Sequence, residues 1–198
     1  MGMNRTISAD QLTKDDLQHF YDALNNSTPL VCVLVASSFI SECLGVLLRA
    51  YFVDKPNVVN PMFERGVLGD FSKRTDIAYC VGLIGPMLMD NLDNIRKVRN
   101  HFAHKHFEAT FDDPEVKALC DKLQFVRMVM PSSISACAEP ITTESMSLQF
   151  SHPRVRFTSV SLMSANEIML NLLSVKHCSE RSDLTGVGVR VDCSKGQT

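Results

Sequence analysis

Residues 29–52 constrain the fold more than any other stretch of this chain. Thr28-Pro29 opens the segment. The threonine hydroxyl can take a leading backbone N–H, and the fixed φ of proline suits the first helical position, where no N–H donor is needed. From there to Phe52 the side chains are apolar on most sides, interrupted by Ser37, Ser38, Ser41, Glu42 and Arg49. A helix without a broad polar face has to be covered by neighbours around much of its girth. The polar interruptions favour a buried helix over a membrane span. The segment therefore predicts a central helix with the remaining elements packed around it.

Those elements read as helices too. Leu12, Leu17, Phe20, Tyr21 and Leu24 recur at helical spacing, predicting an amphipathic first helix over residues 8–24. Two prolines in 54–61 predict a loop there. A helix is expected over 73–84, with Ile77, Ala78, Cys80, Val81 and Ile84 inward. Gly85-Pro86 then starts another, to about His104, on a stripe of Leu88, Leu92, Ile95, Val98 and Phe102. Asp113-Pro114 caps a short helix ending near Leu123, and His152-Pro153 opens a last one to about Lys176. Residues 125–150, rich in Ser, Thr and Met, read as irregular with a brief strand at 127–130. The segment 177–198 reads as a flexible tail. The fold class expected is all-α: about six helices around the one at 29–52, in a single domain over 1–176 with its core in 29–123 and a closing helix at 153–176.

The 198 residues suffice for one substantial core. A formal net charge of −2 lacks the overall basic field that drives most nucleic-acid binding. Seven cysteines, at 32, 43, 80, 120, 137, 178 and 193, are odd in number and form no Cys-x-x-Cys. Cys32, Cys43 and Cys80 sit in apolar runs, which predicts free buried thiols in a reducing compartment. Residues 1–10 carry Arg5 but no apolar core of a secretory leader, so a cytoplasmic location is expected.

One stretch carries chemistry. Residues 96–106 hold four cationic side chains and three histidines. At about 100° per residue, Arg99 falls inside the apolar sector of its helix, where a guanidinium needs a paired acid. Glu42 is the first candidate for a buried ion pair with Arg99, and Asp76 the second. Asn100 and His104 share a face at i and i+4, whereas His104 lies about 140° around from Arg99. Two readings compete. In one, Arg99 pairs with Glu42, while Asn100 and His104 tie the helix end to the next loop. In the other, Arg99 holds a phosphate as a bidentate donor and His104 moves the proton of an attacking ribose hydroxyl. His101, His104 and His106 do not share one face, so no metal is expected there; no cofactor is expected either.

Four ordered blocks carry a resemblance: Leu68-Gly69-Asp70-Phe71-Ser72-Lys73-Arg74; Ile77-Ala78-Tyr79-Cys80-Val81-Gly82-Leu83-Ile84; the run from Ile95 to His104; and Phe111-Asp112-Asp113-Pro114-Glu115-Val116. They resemble the mannitol operon repressor (MltR) family over about residues 29–123. The resemblance implies an all-helical, cytoplasmic, homodimeric regulator of transcription. No helix-turn-helix with a basic recognition helix is evident, so action through a protein partner is expected, without direct DNA binding. A shorter match, Arg99-Asn100-x-x-x-His104, resembles the Arg-x4-His motif of HEPN domains. It implies the alternative, a metal-independent endoribonuclease with Arg99, Asn100 and His104 as its catalytic residues. The leading expectation is a regulatory interaction protein without enzyme activity; RNA is a partner only under the alternative.

Overall fold

A computed structural model describes residues 14–105, 108–125 and 151–175. These residues form seven α-helices and a short 3-10 turn: α1 (Lys14–Asn26), α2 (Pro29–Tyr51), α3 (Pro56–Glu64), the turn Val67–Gly69, α4 (Phe71–Cys80), α5 (Pro86–Lys105), α6 (Pro114–Asp121) and α7 (Pro153–Ser174). The fold is all-α. The expected strand at 127–130, the irregular stretch around it and the tail at 177–198 lie outside the described residues.

Helix α2 is the axis, packed against α1, α4, α5 and α7. Thr28 caps it by accepting from the Val31 N–H, and Pro29 sits in its first turn. Its length and composition would let it cross a membrane. Here its girth is instead covered by helices, and Cys32, Val33, Ala36, Ile40, Leu44 and Leu47 are each wholly buried. The stripe read on α5 faces this core: Leu88, Leu92, Ile95, Val98 and Phe102 are all buried. Phe102, Phe111 and Phe157 form a tilted aromatic chain, with centroids 5.4 and 5.5 Å apart, joining α5 to α7.

Two expectations are corrected. Residues 54–61 are not all loop, because α3 begins at Pro56 and carries Pro61 inside it. Proline at the first turn forfeits no helical hydrogen bond, and Pro61 stands on the exposed side of a helix only nine residues long. Helix α4 stops at Cys80 rather than running to Ile84. Gly82 adopts φ 75, the left-handed conformation that suits glycine. The Gly82 N–H then donates to the Tyr79 carbonyl and the Leu83 N–H to that of Ala78, closing the helix end.

Arginines on α7 fasten distant chain ends. Arg154 donates to the main-chain carbonyls of Leu24 and Ser27, between α1 and α2. Arg156 donates to the Leu123 carbonyl at 2.8 Å, just beyond α6. Guanidinium groups thus satisfy carbonyls left over at helix termini.

Candidate functional site

A cleft of about 490 Å³ opens where α2, the start of α4 and the second half of α5 meet. Helix α2 lends Ser38 and Ser41, the α4 start lends Asp70, Ser72 and Lys73, and α5 lends Arg96, Arg99 and Asn100. The α4 N-terminus opens into it. Asp70 is the N-cap residue, yet its side chain makes no capping hydrogen bond. The leading N–H groups of a helix have no intrahelical acceptor, and they carry the positive end of its dipole.

Arg99 corrects the sequence reading. It is exposed, not buried, and its Nη1 donates to Asn100 Oδ1 at 3.1 Å. Neither Glu42 nor Asp76 is its partner. Glu42 faces Arg74, with Nη1 3.7 Å from Oε2, and Asp76 faces Lys73 at 3.4 Å. The helical projection put Arg99 in the apolar sector of α5, and that sector is buried at Leu88 and Leu92, but at the turn of Arg99 the neighbouring helices leave the cleft open. Arg99 and Asn100 both line the cleft. His104, exposed in the last turn of α5, is not among its lining residues.

Among the described residues, Arg74 is a deeply set arginine that sequence reasoning missed. Its side chain retains 11% exposure. Its Nε donates to the Leu68 carbonyl and its Nη1 to the Ser41 carbonyl, both at 2.7 Å, and Nη1 also reaches Ser41 Oγ at 3.2 Å. Gly45 makes the approach possible, since a Cβ there would lie 3.1 Å from Arg74 Nη1. Arg49 lies alongside, stacked 3.8 Å from the centroid of the Phe63 ring. Burial lowers the pKa of both arginines, and the Glu42 carboxylate opposes the shift. The surviving signal in the sequence was Glu42 alone in an apolar helix: it did mark a buried guanidinium, but the wrong one was chosen.

His101 is held from both ends. Its Nε2 lies 3.0 Å from Asp113 Oδ2 and its Nδ1 2.9 Å from Glu115 Oε2, tying α5 to the start of α6. The hydrogen bond from His101 holds the Asp113 carboxyl below its ordinary range, with Thr110 and Lys105 adding to the effect. On the other side of α5, Asp93 takes Arg96 and Lys97 at 2.6 Å each. Burial alone would raise the Asp93 pKa, but the hydrogen bonds from Lys97 and Arg96 outweigh it and lower it.

No protein-family model and no curated protein matches the chain. Among solved structures it is similar to a chain of the MtlR–HPr complex from Escherichia coli, solved by X-ray crystallography. The two are 22% identical over 80% of this chain and 99% of that one, with a TM-score of 0.52. The likeness shows the fold.

Three of the described thiols offer little chemistry. Burial pushes the Cys32 pKa up to about 11 and those of Cys43 and Cys120 to about 12, so they are poor nucleophiles at neutral pH. Cys80, expected inside, is exposed because α4 ends beside it. Among the described residues, no group of three or more histidines, cysteines or acids stands close enough to hold a metal ion. The cleft collects hydrogen-bond donors and cations around one acid, Asp70.

Proposed function

We propose that this chain is a regulatory interaction protein of the mannitol-operon-repressor type, acting on transcription through a protein partner. In this reading it is cytoplasmic, forms a homodimer, comprises one helical domain over residues 1–176 and carries a tail at 177–198. It has no enzyme activity and no DNA-binding motif of its own. One observation carries the reading: the fold matches nearly the whole of a chain from a complex, that of MtlR with HPr. The four sequence blocks resembling the repressor family lie on the 3-10 turn and α4, on the end of α4 and the turn after it, on α5, and on the approach to α6, and the net charge of −2 offers no general attraction to DNA. By this analogy HPr is the first partner to test.

Calorimetric titration of the purified chain with HPr is the test, run beside fluorescence anisotropy with duplex DNA. Saturable binding of HPr is expected, with a dissociation constant on the order of 10 μM or tighter. No heat with HPr would remove it as the partner. Tight, sequence-specific retention of DNA by the chain alone would refute action through a partner.

A further inference from the structure

We propose that the cleft between α2, α4 and α5 is a binding site for a phosphomonoester. This is independent of HPr docking, since it rests on the chemistry of the cleft lining. Among the described residues Arg99 has no carboxylate within ion-pair distance, and its bond to Asn100 Oδ1 leaves most of its guanidinium N–H groups and the Asn100 amide N–H groups for a ligand. Lys73 and Arg96 flank it, each held in place by an acid outside the lining, Asp76 and Asp93. Ser41 Oγ already accepts from Arg74, so its own proton is directed to another acceptor. Ser72 stands in the first turn of α4, whose leading N–H groups are not capped by Asp70. The site therefore combines guanidinium, ammonium, amide, hydroxyl and helix-terminal donors.

A carboxylate has two oxygens to meet them, whereas a phosphomonoester presents three terminal oxygens and close to two negative charges at neutral pH. A phosphodiester has fewer free oxygens and a single charge, and so fits less well. Asp70 is the one acid of the lining and opposes any anion. Its removal is expected to strengthen binding, an effect that a merely structural role would not give.

The ester is carried either by a small metabolite or by a phosphorylated side chain of another protein, and the probes separate these sources. The full chain is titrated with inorganic phosphate, glycerol 3-phosphate, a phosphoserine peptide and an RNA oligonucleotide at matched ionic strength, and followed by amide chemical shifts and calorimetry. At least one ester is expected to saturate, with a dissociation constant on the order of 1 mM or tighter, moving the amides of Ser41, Ser72, Lys73 and Arg99. Glycerol 3-phosphate alone would identify a small-molecule source, and the peptide alone a phosphorylated protein. Arg99→Gln and Lys73→Gln should each weaken binding about tenfold. Asp70→Asn should strengthen it, and Lys122→Gln, an equal loss of charge on the exposed end of α6, should leave it unchanged. Four results would overturn the proposal: saturation by neither ester; binding of inorganic phosphate alone; equal weakening by Lys122→Gln and Arg99→Gln; or binding confined to an RNA oligonucleotide. Unchanged thermal unfolding of the variants checks that they are folded.

Discussion

Arg74 Nη1 donates to the main-chain carbonyl of Ser41 at 2.7 Å, joining the helix that opens the cleft to the central helix. The bond lies behind the cleft wall, so the same guanidinium that stabilises the α2–α4 packing also orients the Ser41 hydroxyl. Arg74→Ala should cost about 3 kcal/mol, because it takes the donor from the Leu68 carbonyl and removes the guanidinium packed against Ser41. Arg74→Lys should recover only part of this, since an ammonium cannot span both acceptors. Glu42→Ala should cost less than about 1 kcal/mol, as that carboxylate is 42% exposed and its pairing is long. Chemical denaturation of the three variants checks the order.

Asn91 is wholly buried and makes a two-way bond with one residue. Its Nδ2 donates to the Gln124 carbonyl and its Oδ1 accepts from the Gln124 N–H, both at 2.8 Å. The amide replaces a missing stretch of backbone partner for the chain leaving α6. Asn91→Ala should cost about 2–4 kcal/mol, and Asn91→Leu should fare no better, since filling the volume does not satisfy Gln124. Unfolding midpoints and hydrogen exchange at Gln124 would show it.

Helix packing was legible in the sequence wherever apolar residues kept a helical period. The α2 axis, its Thr28 cap, the α5 stripe and the Pro-initiated starts of α6 and α7 all follow from short-range chemistry. The cleft was not legible, because its lining residues lie on three segments and side chains such as Ser41 and Ser72 look like ordinary solvated hydroxyls. The helical wheel misplaced Arg99 because position within an apolar sector does not say where the neighbouring helices stop covering it. Arg74 was overlooked for the opposite reason: its local surroundings, Lys73 and Asp76, are polar, and only the fold brings it against Ser41 and Leu68.

Acid should loosen the α5–α6 junction. The folded-state pKa of Asp113 is depressed by its bond to His101, so its contribution to stability is present above the ordinary carboxylate value of 3.8. It is lost as pH falls through the depressed value. Asp113→Asn should flatten the dependence of stability on pH below about 4, measured as unfolding free energy in a pH series. An unchanged slope would show that the His101 contact contributes nothing in solution.

Glu167 on α7 behaves in the reverse sense. Burial raises its pKa, and its Oε2 is without a hydrogen-bond partner. Its charged form therefore burdens the fold at high pH, and the burden is relieved as pH falls through the raised value. Glu167→Gln should stabilise the protein at neutral pH by a few tenths of a kcal/mol, roughly, with the gain shrinking in acid. Thermal unfolding at neutral and acid pH would resolve the trend.

The ribonuclease alternative makes a separate demand. Arg99 and His104 would have to act on one phosphodiester, although His104 stands outside the cleft that Arg99 lines. Wild type and an Arg99→Ala, His104→Ala double variant, incubated with mixed RNA in chelator, are expected to leave it equally intact. Cleavage by the wild type that the double variant lacks would establish the enzyme.

We propose that this helical chain works by docking a protein, with HPr as the first partner to test. Hydrogen–deuterium exchange of the full chain, with and without saturating HPr, tests it most directly. Docking should slow exchange over one contiguous face of the helices and leave it unchanged elsewhere. Identical exchange in the two samples would contradict it.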